Sequence, residues 1–466
     1  MVFFDSRFLK GFYFFAGTQT KPTNQGSVKN LEMIPTLSHL KNLEPSMFTE
    51  EGCWHLKIDY KPAFIKSEIP ELLNILIFKD RESIFGAIGK HQPPLDCKPE
   101  SREAFFKLTE ANNLSTIVLN KPLALDPVTV KKPWGEEIWF SGIEERGVSS
   151  SNGIPITLLI EIFGEFLGCS KPPILLKVLA PNPEPNLGDL YFELHEKKTE
   201  VYVVTDINLG SWPNGIGKIR LGFNDKEIQS QGTSEKFIEK YLSSVESYQR
   251  CRNLIDSKVD QMKVSLGLSK DEIIETELYR TFLAEIDNTI LDDEKMLRKE
   301  MNKFTKLHEI KIGDAIKVKP YIPHSLQHGV RVVEFQTPHY ERYILSFGQK
   351  VITQDHWDTK AALMKARISE ARIERPKKLD AFQDIVADFD EFNVTRAVLP
   401  SKSELKIEEK GYCLIIGISG ETKLGSSKVK NEKAFFIPPM KKLVMTNESE
   451  AESCFLIARE NQSGKR

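Results

Sequence analysis

From about residue 127 onward, the sequence consists of short apolar or alternating runs that are separated by proline, glycine and asparagine. Examples are the runs KKPWGEEIWF and PPILLKVLA, the turn-rich segment NPEPNLGD, and the run LYFELHEKKTEVYVVTDI. Runs of this length between such breakers are typical of strands in a sandwich or barrel rather than of βαβ units. The sequence therefore predicts a mainly β fold.

Changes of periodicity divide the chain into regions. In chain order we expect an unassigned α+β region at 1–125, a first barrel formed by 126–233 with 306–357, a helical insertion at 234–305, a helical connector at 358–395, and a second, smaller barrel at 396–466. The last histidine of the chain is His356. We therefore expect the second barrel to bind no metal.

The helical insertion is predicted from apolar residues that recur on one helical face. These residues are Phe237, Tyr241, Val245, Tyr248, either Leu254 or Ile255, and then Val259 and Met262. Ser269 and Glu272 have the spacing of a capping box, in which each side chain binds a free backbone N–H of a first helical turn. We expect the second helix of the insertion to begin there.

Composition excludes several classes of partner. Lys and Arg total 64 against 66 for Asp and Glu, so no global field attracts nucleic acid or an anionic membrane. No run approaches the roughly 20 apolar residues that span a bilayer. Asp5, Arg7 and Lys10 interrupt the aromatic opening segment before it reaches the length of a signal peptide.

The six cysteines contain no CxxC pair, so we expect reduced thiols and a cytoplasmic location.

Ionisable side chains interrupt the strand pattern at the run LYFELHEKKTE. Glu193 and His195 are two residues apart and so share one face of a strand, and Glu200 begins the next run. Charged groups that face a barrel interior should be paired or bound to a metal. His324, which follows Pro323 after an alternating strand, is the fourth candidate. Two imidazoles and two carboxylates suit zinc, iron or manganese, although an isolated His–Glu pair is more often an ordinary surface pair.

The order of these residues resembles the two cupin motifs: Gly188 followed by E-x-H-x4-E, and later Gly313-Asp314 followed by Pro323-His324. The motif Lys-Pro-Trp-Gly at 132–135, the ILLKVL strand, the Lys-Thr-Glu triplet at 198–200 and the run VEFQTP extend the resemblance to the class I mannose-6-phosphate isomerases over about residues 127–459. The resemblance implies a bicupin fold of two jelly-roll barrels with a helical insertion.

For this chain the resemblance implies a zinc site formed by Glu193, His195, Glu200 and His324, with Fe2+ or Mn2+ as alternatives. It also assigns Lys198, Glu334 and Arg342 to catalysis. The expected activity is the interconversion of mannose 6-phosphate and fructose 6-phosphate through a cis-enediol, with Glu334 as the base and the two cations facing oxyanion or phosphate charge.

This sequence departs from the family pattern at three points. Glu193 stands where the family has Gln, Glu196 stands where it has Pro, and only four residues separate His195 from Glu200. Two carboxylates neutralise a divalent ion, and a neutral site polarises a carbonyl less strongly.

Two other functions remain open from the sequence: a metal cupin of another reaction class, such as an iron-dependent dioxygenase, and a non-catalytic sugar-binding cupin. The expected partner is a small sugar phosphate. The sequence contains no indication of the oligomeric state. His328 and His339 lie near the candidate ligands in sequence, but we expect each to be exposed or paired elsewhere.

Overall fold

The computed structural model describes residues 43, 45–60, 71–91, 99–143, 147–169 and 171–461. The aromatic opening segment, which we expect not to be a signal peptide, lies outside the described residues. The chain divides into two compact units, one formed by 1–128, 139–176 and 377–466, the other by 129–138 and 177–376. In the part of the chain that is described, no helix is both long and apolar enough to cross a membrane.

Strands predominate, which confirms the mainly β fold class. Up to residue 207 they are β1 Gly52–Tyr60, β2 Glu71–Lys79, β3 Ile84–Gly89, β4 Ser115–Val118, β5 Leu123–Ala124, β6 Val128–Lys132, β7 Gly135–Trp139, β8 Ser150–Ser151, β9 Ile154–Pro155, β10 Leu175–Pro181, β11 Phe192–Leu194 and β12 Glu200–Ile207. Beyond it they are β13 Gly217–Phe223, β14 Thr305–Ile310, β15 Ala315–Val318, β16 His324–Leu326, β17 Val330–Gln336, β18 Tyr343–Ser346, β19 Lys377–Lys378, β20 Gln383–Asp388, β21 Phe392–Leu399, β22 Glu404–Glu409, β23 Cys413–Ser419, β24 Glu421–Leu424, β25 Ser427–Lys430, β26 Ala434–Ile437, β27 Met440–Thr446 and β28 Ser453–Glu460.

Helices are fewer. They are α1 Arg102–Ala111, α2 Ile156–Leu167, α3 Asp225–Gln231, α4 Ser234–Ser265, α5 Thr276–Ala284, α6 Asn288–Asn302 and α7 Thr359–Lys365, with a short 3-10 turn at Pro45–Met47.

The unit that contains 177–376 is a sandwich of two sheets. One has the strand order β15-β12-β17-β10-β7-β6 and the other β14-β13-β16-β11-β18. Inward residues of both sheets share one apolar core, among them Tyr202 and Val204 of β12 and Ile219 and Leu221 of β13. Because alternate residues of a strand point to opposite faces, this arrangement also fixes which polar residues point inward.

Helix α4 packs the aromatic face that the sequence predicts. Thr233 caps it by accepting the N–H of Lys236. Tyr241 and Tyr248 are fully buried in a cluster with strand residues such as Phe223. Of the two alternatives that the periodicity left open, Ile255 is buried and Leu254 is 47% exposed.

Two local predictions differ from the structure. The Ser269–Glu272 capping box is a turn, with the N–H of Glu272 bound to the carbonyl of Ser269, and the next helix begins at Thr276. Ser-x-x-Glu satisfies N–H groups in a turn as well as in a helix, so the motif alone does not start one. The segment 358–395 is helical only in α7, whereas Gln383–Asp388 forms β20 because that strand pairs with β21.

The other unit contains a second sandwich. A seven-stranded sheet has the order β19-β20-β21-β28-β23-β26-β5, and a four-stranded sheet the order β22-β27-β24-β25. Their shared core is apolar, with Ile415, Phe455 and Ile457 fully buried. Strand β5 joins this sheet by pairing with β26. In the same unit β1–β4 form a separate antiparallel sheet, on which Phe105 of α1 is buried.

The contrast between Ile255 and Leu254 tests the packing of α4. Replacing Ile255 with Ala should lower the free energy of unfolding by about 2–5 kcal/mol, because the change leaves a cavity in a closed core. Leu254→Ala on the same helix should change it by no more than about 0.5 kcal/mol. Urea unfolding followed by far-ultraviolet circular dichroism measures both variants, and equal losses would contradict this placement of the helix.

Candidate metal centre

The four predicted ligands converge in the first sandwich. Glu193 lies in the middle of β11, and His195 directly follows that strand. Glu200 begins β12, and His324 begins β16, where it pairs across the sheet with Glu193. The side chains of His195, Glu200 and His324 are at most 2% exposed, whereas Glu193 is 16% exposed. Glu193 is therefore the candidate ligand nearest to solvent, and we call its side of the site the open side.

Hydrogen bonds fix the orientation of both imidazoles. His195 donates its Nδ1–H to the carbonyl of Glu341 at 2.8 Å, and His324 donates its Nδ1–H to the carbonyl of Ile322 at 3.1 Å. A carbonyl oxygen can only accept, so Nδ1 carries the proton in each ring. The Nε2 lone pairs therefore point into the site, as a metal ligand requires.

The distances between donor atoms fit a small divalent ion. His195 Nε2 lies 3.7 Å from Glu193 Oε1 and 3.5 Å from Glu200 Oε1. Two ligands on one tetrahedral zinc lie roughly 3.3 Å apart at bond lengths of about 2.0–2.1 Å. His324 Nε2 is closer to Glu200 Oε1, at 2.7 Å, so this pair would separate slightly around an ion. Donor atoms of Glu193, His195 and His324 lie within 4.8 Å of one another.

Unpartnered donor atoms support the same interpretation. Among the described residues, His195 Nε2, His324 Nε2 and Glu193 Oε2 are buried without a hydrogen-bond partner. Buried polar atoms are normally satisfied, so three unsatisfied atoms that face one another indicate a missing partner. Nitrogen and oxygen donors of this kind fit zinc, iron or manganese.

Electrostatics favour the ligand forms of these residues. Burial and the Lys198 ammonium lower the pKa of His195, which keeps its imidazole neutral. Burial would raise the pKa of Glu200, but the Lys198 ammonium holds it well below its usual range. The Lys198 ammonium lies 2.7 Å from Glu200 Oε2 and is itself buried. Lys198 therefore stands beside the ligands but directs its charge at one of them.

Glu334 is a neighbour of Glu200, pairs across the sheet with Tyr202 and is 1% exposed. Burial raises the pKa of its carboxyl to about 8, although the Lys177 ammonium, 3.1 Å away, acts in the opposite direction. Lys177 also lies 3.6 Å from Glu137, which pairs with Lys132 at 2.9 Å. These four residues form a largely buried chain of alternating lysine and glutamate side chains on the adjacent strands β6, β7, β10 and β17.

Three residues near the site, Lys177, Glu137 and Tyr202, were not predicted from the sequence. The hydroxyl of Tyr202 donates to Glu200 Oε1 at 2.8 Å. The sequence does contain one indication of this cluster, a lysine in the middle of the apolar run ILLKVLA, because a buried lysine needs a carboxylate partner. Sequence alone could not supply that partner, because Glu334 lies 157 positions further along the chain.

Arg342 lies at the open side of the site. Its guanidinium is 27% exposed, and Nη1 lies 4.0 Å from Glu193 Oε2. The group also lies 4.7 Å from the centre of the Tyr191 ring and donates to Thr353 at 2.6 Å. Arg342 is thus held in place by neighbours while part of it faces solvent.

The other nearby residues lie away from the ligand atoms. His328 pairs with Asp189 at 2.7 Å and stacks on Trp212. His339 is exposed. Trp134 and Trp139 are buried.

Comparison with known proteins agrees with the fold. No family model and no curated protein matches the sequence. Among solved structures, the apo form of mannose 6-phosphate isomerase from Salmonella typhimurium matches with 12% identity and a TM-score of 0.50, covering 73% of this chain and 100% of that chain. A zinc-bound holo form and a form bound with zinc and yttrium each match with 13% identity and the same coverage and TM-score. At these identities the likeness concerns architecture alone: the chain has the cupin fold of the mannose-6-phosphate isomerases.

Proposed function

We propose that this protein is a metal-dependent aldose–ketose isomerase that interconverts mannose 6-phosphate and fructose 6-phosphate. The observation that carries the proposal is the convergence of two oriented imidazoles and two carboxylates at one point, beside a partly exposed arginine. The fold supports the proposal, because the similar structures are isomerases of this class.

The residues of the chain supply the groups that such a reaction needs. Isomerisation moves a proton between adjacent carbons, so it requires a base whose pKa is near the working pH. Glu334, with its pKa raised to about 8, is the proposed base. Glu193, His195, Glu200 and His324 would hold the metal, which would supply a Lewis acid for a sugar oxygen.

Arg342 and Lys198 have different roles in this proposal. Arg342 faces the open side, where it can hold the phosphate or a developing oxyanion through paired N–H donors. Lys198 is bound to Glu200 and buried, so it orients that ligand and adds positive charge behind it. The proposed substrate therefore approaches from the side of Glu193 and Arg342.

One observation favours a second candidate function. Both Glu193 and Glu200 face the site, and two carboxylates with two neutral imidazoles leave a divalent ion without net charge. Such a set also suits Fe2+ in a cupin of another reaction class, such as a dioxygenase. The metal bound by the protein purified from its natural source distinguishes the candidates, because an isomerase needs no redox-active ion.

The metal proposal predicts a stoichiometry. The purified protein should bind about one divalent ion per chain, since no histidine follows His356 to serve the second sandwich. His195→Ala or His324→Ala should remove the ion, while His356→Ala, a change at a 70% exposed side chain, should leave it. Elemental analysis of the four proteins measures this. Two ions per chain, or full retention in either ligand variant, would show that the ligand set is wrong.

The isomerase proposal predicts a kinetic effect at Arg342. Arg342→Ala should lower kcat/KM for mannose 6-phosphate by at least about thirtyfold, equivalent to about 2 kcal/mol, because a charge-assisted contact is lost. Metal content should stay unchanged, since Arg is not a ligand. A coupled assay with metal analysis on the same samples tests both. A wild-type protein without turnover would refute the isomerase, and an unchanged kcat/KM would remove Arg342 from the site.

The proposed base predicts a different pattern. Glu334→Gln keeps the shape of the side chain but cannot accept the substrate proton, so kcat should fall by about 10²–10⁴-fold. Metal content and KM should change little, because Glu334 is not a ligand. Single-turnover kinetics on metal-loaded enzyme measure the chemical step, and a kcat within twofold of wild type would exclude Glu334 as the base.

A further inference from the structure

The connection between β17 and β18, residues 337–342, contacts the segments that carry the candidate ligands. We name it the β17–β18 loop. Thr337 exchanges two hydrogen bonds with Thr199, one from the backbone N–H of Thr337 to the Thr199 carbonyl at 3.0 Å, the other from the N–H of Thr199 to the Thr337 hydroxyl at 3.1 Å. Arg342, at the other end of the loop, lies beside Glu193.

Glu341 is the member of this loop that makes the most direct contacts with the site. Its backbone carbonyl accepts the Nδ1–H of His195 at 2.8 Å. Its carboxylate accepts the backbone N–H groups of Lys197 and of Lys198, the latter at 3.2 Å. One residue therefore fixes both the ring of a ligand and the middle of the segment that follows it.

That segment, residues 196–199, is the link between two ligands, His195 and Glu200. Four residues leave little freedom, so a change in the backbone of the link moves the ligand at one end or the other. Successive backbone N–H groups that point to one side form a concave anion site, and the Glu341 carboxylate occupies it.

We propose that Glu341 is a positioning residue for the metal centre: by holding the 196–199 link and the ring of His195 at once, it sets the affinity of the site for its metal. The inference rests on the metal centre of the proposed function and adds a residue that is not a ligand. The reach of the Glu341 carboxylate matters more for this role than its charge, because one oxygen must lie close to two backbone N–H groups at once.

Two conservative variants separate reach from charge. Glu341→Asp keeps the charge but withdraws the carboxylate by one methylene, so it cannot meet both N–H groups. Glu341→Gln loses the charge but keeps an acceptor oxygen at the same reach. His339→Ala changes an exposed side chain of the same loop and serves as the control.

The affinity of each apo protein for Zn2+ is measured by competition with a chromophoric chelator, and thermal unfolding of the apo proteins shows that each variant is folded. Loss of an outer hydrogen bond to a metal site typically weakens binding by about 10–100-fold. We expect Glu341→Asp to bind Zn2+ at least about tenfold more weakly, and Glu341→Gln and His339→Ala to stay within about threefold of wild type.

Three other results would contradict the inference about Glu341. Zn2+ affinity of Glu341→Asp equal to that of wild type would overturn the inference and leave the metal centre intact. Weakened Zn2+ binding by Glu341→Gln, together with wild-type binding by Glu341→Asp, would show that the charge of the carboxylate is important rather than its reach. That result would also overturn the inference. A wild-type protein that binds none of Zn2+, Fe2+ and Mn2+ would refute the metal centre itself and this inference with it.

Discussion

The first sandwich depends on the compensation of charge in its interior. Glu200 has no exposed surface, so its negative charge must be balanced by neighbouring groups rather than by water. The Lys198 ammonium and the Tyr202 hydroxyl supply this balance, and two neutral imidazoles lie beside them. Removing one partner of a buried ion pair costs about 3–5 kcal/mol, because the other charge remains unpaired. The proposed chemistry and the stability of the sandwich therefore share the same residues.

This compensation extends beyond Glu200. Lys132 and Lys177 alternate with Glu137 and Glu334, so each ammonium of this chain lies beside a carboxyl group. The pKa of its last member, Glu334, is raised to about 8, because burial outweighs the attraction of the Lys177 ammonium. These contacts persist only if the strands hold each pair in register. In the second sandwich one buried carboxylate, Glu409 of β22, likewise pairs with Arg459 of β28, although the shared core is otherwise apolar.

Local pattern is sufficient to predict much of this arrangement. Alternation and breakers predict a mainly β fold, and the two-residue spacing of Glu193 and His195 places two candidate ligands on one face of a strand. Contacts distant in sequence cannot be predicted in this way. Lys177 finds its partner in another strand, and 383–388 becomes a strand because β21 is there to pair with it, although its charged sequence is compatible with a helix. Local propensity decides little where tertiary pairing supplies the stabilisation.

The pairing of β5 with β26 has a consequence for biosynthesis. The seven-stranded sheet joins residues 123–124 to residues 435–436, so its outermost strand leaves the ribosome some three hundred residues before the strand it pairs with. At about 5–20 residues per second, that interval lasts on the order of 15 to 60 seconds. Residues 129–138 and 177–376 are all synthesised within it, so the sandwich that carries the metal ligands can close while the other sheet still waits for its C-terminal strands. The nascent chain thus holds β5 without its native partner for most of its synthesis, and an unpaired edge of this kind is a template for wrong pairing.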